Sequence, residues 1–403
     1  MSAPTTQRAT STSSAGAAGP VWFTPADCDL AEFRATVEVQ TDLADYPYAD
    51  AVDRNVLIYG ERLRAHLADE GTYRDVQAEL VRALREGPGI VVFQQAFAPD
   101  VVDAATEAFQ AMIAEQKAAG QVNGDHFAAP GANDRIWGAL DKFAVRYPEQ
   151  FADYYDNEIL ALVSEAWLGR GYQVTSQVNV VNPGGKAQRA HRDYHLGFMD
   201  REQAMAYPAQ VHALSPVLTL QGAVAHVDMP VETGPTLYLP HSQKYPAGYI
   251  AFHDPAFTAY FEENYVQLPL TKGDAAFFNP ALFHGAGTNV SADVRRMANL
   301  LQVSSAFGRA METVDTRAIS TSMFATLKAR RAAGVPERRL RNLVTAAAEC
   351  YAFPTNLDRD QPIGGLAPQS QAELLWQALV EDWDAEALAT ALDAQAARRE
   401  FAG

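Results

Sequence analysis

The sequence predicts an α+β fold in which a double-stranded β-helix (a jelly-roll, cupin-like core) is braced by N- and C-terminal helices. Between residues 172 and 310, short apolar runs alternate with turns rich in Gly, Pro and Asn, the texture of a sandwich or barrel. On either side, apolar residues recur every three or four positions, as amphipathic helices require. Apolar residues make up 48% of the 403 and charged residues 20%, the balance of a globular chain with a large core. No internal repeat divides it, which favours one enlarged domain. The expected parts are a disordered arm at 1–20 and a single domain at 21–403: helical at 21–171, jelly-roll core at 172–310, helical again at 311–403.

The arm is small, polar and aperiodic, and lacks the basic start and apolar middle of a signal peptide. From Val56 to Gly87 the pattern is helical, with Val76, Leu80, Val81 and Leu84 on one face, until Gly87-Pro88-Gly89 stops it. Ile90 to Phe93 reads as a short buried strand, and Asp100 is placed to cap the next helix, which runs towards Gly120. Residues 121–137 suit a loop that reaches over a site, and a further helix is expected near 149–168. Strands are then expected at Gln173–Val181, around His191, and at Val217–Val227, Thr236–Leu239, Ala275–Phe278 and Arg295–Val303. The stretch 243–265 is taken as loop, and helical texture returns after 311.

A formal charge of −17 argues against nucleic acid or an anionic membrane as partner, since both need basic surface. No apolar run approaches the length of a membrane span. Cys28 and Cys350 stand far apart in no metal-type spacing, so a cytoplasmic enzyme acting on a small molecule is expected. Composition sets no oligomeric state.

The triplet H-x-D occurs twice, as His191-Arg192-Asp193 and His226-Val227-Asp228. On a strand its first and third residues share a face, which supplies two of the three ligands of a 2-His-1-carboxylate iron site. The first triplet follows the turn Asn182-Pro183-Gly184-Gly185, and His284 stands far enough along the chain to come from another strand as third ligand. The second triplet ends an apolar strand, where an Asp commonly starts a turn. On pattern alone both stay candidates. Two neutral imidazoles and one carboxylate leave Fe(II) with adjacent open positions that suit a bidentate 2-oxo acid and O2. The oxo acid's far carboxylate then needs a fixed cation, best an arginine fork. Arg295, at the start of the last apolar run, is the candidate, and Arg296 beside it must point to the opposite strand face.

With these residues in place, the region 173–304 resembles the phytanoyl-CoA dioxygenase family of Fe(II)/2-oxoglutarate oxygenases. His191-Arg192-Asp193-Tyr194-His195 resembles its H-x-D-x-H segment, Ala223 to Leu239 its strand, acidic turn and N-G-P-L strand, and His284 to Arg295 its H-G-x-G-x-N-x-S-x-x-x-R segment. The resemblance implies iron ligation by His191, Asp193 and His284, with Arg295 gripping 2-oxoglutarate. It further implies co-substrate contacts at Gln221 and near Val178, and places His226-Val227-Asp228 on a strand without iron ligands. Two departures bear on this. The family's P-G-S-H reads Pro240-His241-Ser242-Gln243 here, which leaves that loop's shape open. Asp193 is intact, whereas related halogenases carry a small residue there, so hydroxylation with release of succinate and CO2 is favoured over halogenation.

Desaturation, demethylation or ring closure at the same iron would leave the same sequence signature. A jelly-roll binding protein without catalysis has no use for three ligands and an arginine, and a hydrolytic cupin holding Mn or Zn has none for the arginine. Tyr194, His195 and Phe198 follow the iron segment and are candidate pocket residues.

Overall fold

The structure, a computed structural model, describes residues 19–401 apart from 68, 121–131 and 198. The arm expected at 1–20 lies almost wholly outside the described residues, as does most of the expected 121–137 loop.

Eleven strands are present among the described residues: β1 Ala51–Asp53, β2 Val56–Tyr59, β3 Ile90–Phe93, β4 Asn133–Ile136, β5 Gln173–Val181, β6 Thr219–Ala225, β7 Leu237–Leu239, β8 Val266–Gln267, β9 Ala275–Phe278, β10 Phe283–Gly285 and β11 Arg296–Ser304. Eight form a sheet in the order β1-β2-β3-β9-β6-β11-β5-β4, parallel only between β2 and β3. The other three form a small sheet, β10-β7-β8, extended by a single bridge from His284 to His191. From β6 onward the chain crosses between the two sheets, with β6, β9 and β11 in the large one and β7, β8 and β10 in the small one, as the expected jelly-roll requires.

Strand alternation sorts the side chains of the large sheet into two populations. Leu57, Tyr59, Val91, Phe93, Val178, Val180, Phe277, Met297 and Leu301 join the main core with the helices. Val56, Ile58, Ile90, Val92, Ala276 and Phe278 face inward and pack with Tyr238, Leu268 and Leu282 of the small-sheet side. The outer face of the large sheet is covered by helices that include Glu70–Arg85, Pro99–Ala118, Ala139–Arg146, Pro148–Tyr155, Glu158–Leu168 and Thr316–Ala332. On the far side, Phe33 of the helix Leu30–Val37 packs against Tyr245, Phe257, Tyr260 and Phe283.

Several elements differ from the sequence expectation. Val56–Tyr59 is a strand, and the helices begin only at Glu61 and Glu70; a four-residue apolar run that is buried on both faces has no period to separate it from helix. The helix after β3 starts at Pro99 with Ala98 at its cap, so Asp100 sits in the first turn without capping. The expected helix at 149–168 is two, because Asn157 caps a new start by accepting from Leu160 N. Within 243–265 lie the helices Gly248–Ala251 and Pro255–Asn264. Among the described residues no helix is long and apolar enough to cross a membrane.

Candidate active site

The site begins where β5 ends. Gly184, in the left-handed region at φ +86°, turns the chain, and its N–H donates to Asn289 O at 2.8 Å while Asn289 N donates to Gly185 O at 2.9 Å. The chain then runs antiparallel beside 284–289: Gln188 N donates to Ala286 O (2.8 Å), His191 N to His284 O (2.9 Å) and His284 N to His191 O (3.1 Å). Two histidines distant in sequence thus face each other as one bridge pair, with ring centroids 4.4 Å apart. The segment is a one-residue bridge rather than the expected strand, but the H-x-D spacing still delivers Asp193 to the same place. Its carboxylate oxygens lie 3.7 Å from His191 Nε2 and 3.8 Å from His284 Nε2. One donor atom from each residue falls within 4.8 Å of the others, so a single ion can touch all three. Among the described residues no other such cluster of His, Cys, Asp or Glu occurs.

The tautomers suit a metal. Nδ1 of His191 lies 2.9 Å from Arg189 O, and Nδ1 of His284 lies 2.9 Å from Leu282 O. A carbonyl only accepts, so each Nδ1 carries the proton and each Nε2 presents a lone pair. Burial, then the neighbouring His191 imidazole, pulls the His284 pKa down to about 4 against the opposing pull of Asp193, which keeps the ring in the neutral form that ligates. Gln221 Nε2 donates to Asp193 Oδ2, and the Phe278 ring meets His284 edge-on at 4.8 Å. Gln221, expected as a co-substrate contact, is therefore a neighbour of the ligand carboxylate, and its Oε1 is buried without a partner.

Arg192, between the two ligands, points the other way and is wholly buried. Its Nη2 donates to Ser242 O, and its guanidinium lies between the Tyr249 and Phe283 rings at 5.3 and 5.0 Å. Gly248 is required beneath it, because a Cβ there would come within 1.9 Å of Cζ. Ser242 Oγ accepts from Phe283 N at 2.7 Å, so one loop braces both ligand-bearing segments. That loop is the one in which the sequence departs from the family. His241 takes φ +69°, a region that favours glycine, and is held there by its N–H to Pro88 O (2.9 Å) and by side-chain contacts to Thr41 Oγ1 and Lys244 Nζ. With this loop in place, His191, Asp193 and His284 still converge.

A cavity of about 560 Å³ opens beside His191, with Asn179, Val181, Gly185, Phe252 and Arg296 also in its wall. Two residues expected at the co-substrate face away from this cavity. Arg295 turns outward, donates to Asp134 Oδ2 at 2.7 Å and to Asn182 Oδ1 at 3.0 Å, and its side chain is 54% exposed. Arg296 is the inward residue, because it shares strand parity with Ala298 and Leu300 of the interior while Met297 and Leu301 face the helices. Only 8% exposed, Arg296 has no carboxylate partner among the described residues, and burial lowers its pKa to about 10. Val178 lies on the helix face of β5 in the main core; its neighbour Asn179 faces the cavity.

The second H-x-D triplet is structural. His226 is buried with Nδ1 2.8 Å from Thr106 Oγ1 and Nε2 2.9 Å from Tyr154 OH, while Asp228 Oδ1 accepts from Lys272 N. Tyr194 packs among Tyr207, His212 and Tyr249, and His195 bonds Thr219 Oγ1 at 2.6 Å; neither lines the cavity. Phe198 lies outside the described residues. Sequence reasoning missed Arg192 and Asn179. Asn179 had a signal: Gln177 and Asn179 alternate with Val174, Val178 and Val180, and a polar row on a buried strand marks a wet face.

The family model described as phytanoyl-CoA dioxygenase (PhyH) matches residues 86–297, just over half of the chain. No curated protein sequence matches it. Similar solved structures include the non-heme alpha ketoglutarate dependent carbocyclase SnoK from nogalamycin biosynthesis, at 22% identity and TM-score 0.42, covering 58% of this chain and 86% of that one. The non-heme alpha ketoglutarate dependent epimerase SnoN from the same biosynthesis is 19% identical with TM-score 0.37, covering 59% of this chain and 84% of its own. AviO1 from Streptomyces viridochromogenes Tue57 is 17% identical with TM-score 0.42, covering 58% and 97%.

Proposed function

The chain belongs to the phytanoyl-CoA dioxygenase family of non-heme Fe(II)/2-oxoglutarate-dependent enzymes, and from that premise we propose that it hydroxylates a small-molecule metabolite at an iron held by His191, Asp193 and His284. The observation that carries the ligand set is the pairing of two Nδ1-protonated imidazoles across one bridge with a carboxylate between their Nε2 atoms. Bound there, ferrous iron with 2-oxoglutarate and O2 supplies the oxidant, the oxo acid leaving as succinate and CO2.

The chain's own part is to position. Gln221 fixes the Asp193 carboxylate from Oδ2, which leaves Oδ1 towards the metal. Arg296, rather than Arg295, grips the far carboxylate of 2-oxoglutarate: a desolvated guanidinium without a counter-ion is the state that an incoming carboxylate relieves. Asn179 stands on the adjacent strand in the same wall. Arg192 holds the H-x-D segment against the loop at 240–243, so the ligands keep their aim when the metal leaves. Residues 21–403 act in this proposal as one unit, and the two free cysteines suit a cytoplasmic setting.

The test is iron-dependent succinate release across a panel of candidate metabolites, with product mass as the second readout. A gain of one oxygen atom supports hydroxylation, and loss of two hydrogens indicates desaturation or ring closure instead. Asp193→Ala should abolish substrate-coupled turnover; normal hydroxylation by that variant would remove the ligand set.

A further inference from the structure

Taking the cavity beside His191 as the substrate site, as proposed above, we infer that the substrate carries an oxyanion, a carboxylate or a phosphate, bound at the cavity's outer wall by Lys186 and Arg189 beside His253. The wall is basic where the chain as a whole is strongly acidic. Lys186, Arg189, His253 and Arg296 all line the cavity, and no Asp or Glu lines it among the described residues. A net charge of −17 repels an anionic substrate at long range, so binding one requires cations placed at the entrance.

These cations are also unspent. Elsewhere the basic side chains are commonly neutralised, as in Arg295 with Asp134, Lys272 with Asp103 and Arg146 with Glu115. Neither Lys186 nor Arg189 makes a salt bridge among the described residues. Beside them, burial and the Arg201 and Arg189 guanidiniums disfavour a proton on His253, against a backbone hydrogen bond at Met199 and the Asp200 carboxylate. Asp200 is itself engaged, accepting from Gln203 N at the start of the helix Arg201–Met205. Two cations without a carboxylate partner on one cavity wall can both be answered by a single oxyanion.

The position sets the geometry of the substrate. Lys186 and Arg189 lie on the segment that ends at His191, and two residues of extended chain span roughly 7 Å. An oxyanion held at Arg189 therefore puts the reacting carbon a short chain away from the charged group. Arg296 is not available for this role, since 2-oxoglutarate occupies it.

The experiment is calorimetry under anaerobic conditions on the full chain loaded with Fe(II) and saturated with 2-oxoglutarate, titrated with benzoate, phenyl phosphate and the neutral isostere benzamide. At least one anion should bind ten or more times tighter than benzamide by a charge-assisted contact, roughly the difference a single such bond makes. Lys186→Glu and Arg189→Glu should each reduce that preference about tenfold, and the double variant should erase it. Arg34→Glu, which changes net charge on the remote N-terminal helix, should leave it intact. The better of the two anions identifies the oxyanion. Equal binding of all three probes, binding of none, or an anion preference that survives in the double variant would overturn the inference. Iron and 2-oxoglutarate stoichiometries are read in the same preparation, so their absence would count against the proposed reaction and not against the basic wall.

Discussion

Adjacent arginines on opposite faces of one strand offer a controlled test of the co-substrate site. Replacing Arg296 by Met removes a guanidinium that is 8% exposed and whose pKa burial lowers to about 10 from 12.5. At about 1.4 kcal/mol per pKa unit, the free protein carries on the order of 3 kcal/mol of unrelieved charge burial there. A carboxylate that pairs with it recovers that cost, and breaking a buried pair from one side typically costs about 3–5 kcal/mol. The affinity for 2-oxoglutarate should therefore fall by roughly two to three orders of magnitude in Arg296→Met, and by less in Arg296→Lys, which keeps the charge and loses the fork. Arg295→Met removes a half-exposed bridge to Asp134, worth at most about 1 kcal/mol to stability, and should change 2-oxoglutarate affinity no more than about threefold. The assay is anaerobic calorimetry with 2-oxoglutarate, backed by KM from succinate release. Thermal unfolding adds a signature: without co-substrate, Arg296→Met should lose little stability, while the rise in Tm that 2-oxoglutarate gives the wild type should vanish. A larger loss of affinity in Arg295→Met than in Arg296→Met would refute the assignment.

Three further outcomes follow from the same geometry. Gln221→Leu removes the donor to Asp193 Oδ2 and should weaken Fe(II) binding about 10–100-fold in a chelator competition; wild-type affinity would show that the contact does not orient the ligand. Val178→Ala should cost about 1–3 kcal/mol in denaturant unfolding with KM for 2-oxoglutarate unchanged, whereas Asn179→Ala should raise that KM; a reversed pattern would put Val178 at the co-substrate after all. Burial lowers His226 to a pKa of about 3 in the folded chain, so the unfolded chain binds the proton more tightly below its own pKa of about 6.5. Its stabilising share is complete above that value and is lost as pH falls towards 3. Between pH 7 and pH 5 the wild type should lose about 2 kcal/mol more than His226→Gln does, and equal losses in the two proteins would contradict the buried neutral imidazole.

The convergence of His191, Asp193 and His284 was legible because the H-x-D spacing does not depend on secondary structure being read correctly. His191 and Asp193 reach the same point from a single bridge residue as they would from a full strand. Which of the two arginines turns to the cavity was not legible. Met297, Leu301 and Val303 face the helices and Ala298 and Leu300 the interior, so β11 is apolar on both sides and its pattern gives no parity. With both faces apolar, nothing in the pattern says whether Arg295 or Arg296 shares the interior face. The same parity governs β5, where the choice fell on Val178 although the polar alternation of Gln177 and Asn179 pointed to the wet face. Val56–Tyr59 failed for another reason, its brevity, and so did the four-residue helix Gly248–Ala251; the helix Pro255–Asn264 had a signal that was passed over, Phe257, Tyr260 and Phe261 at i, i+3 and i+4. The loop at 240–243 shows the limit of motif matching. His241 holds a left-handed backbone by its tertiary contacts, which no sequence pattern announces.

The most direct test of the metal centre is anaerobic Fe(II) titration of the full chain and of His191→Ala, Asp193→Ala and His284→Ala, in the presence of 2-oxoglutarate. Wild-type protein should bind one ferrous ion per chain, and each variant should lose that site while keeping its fold by circular dichroism. Undiminished stoichiometric iron binding by any one of the three folded variants would contradict the site as described.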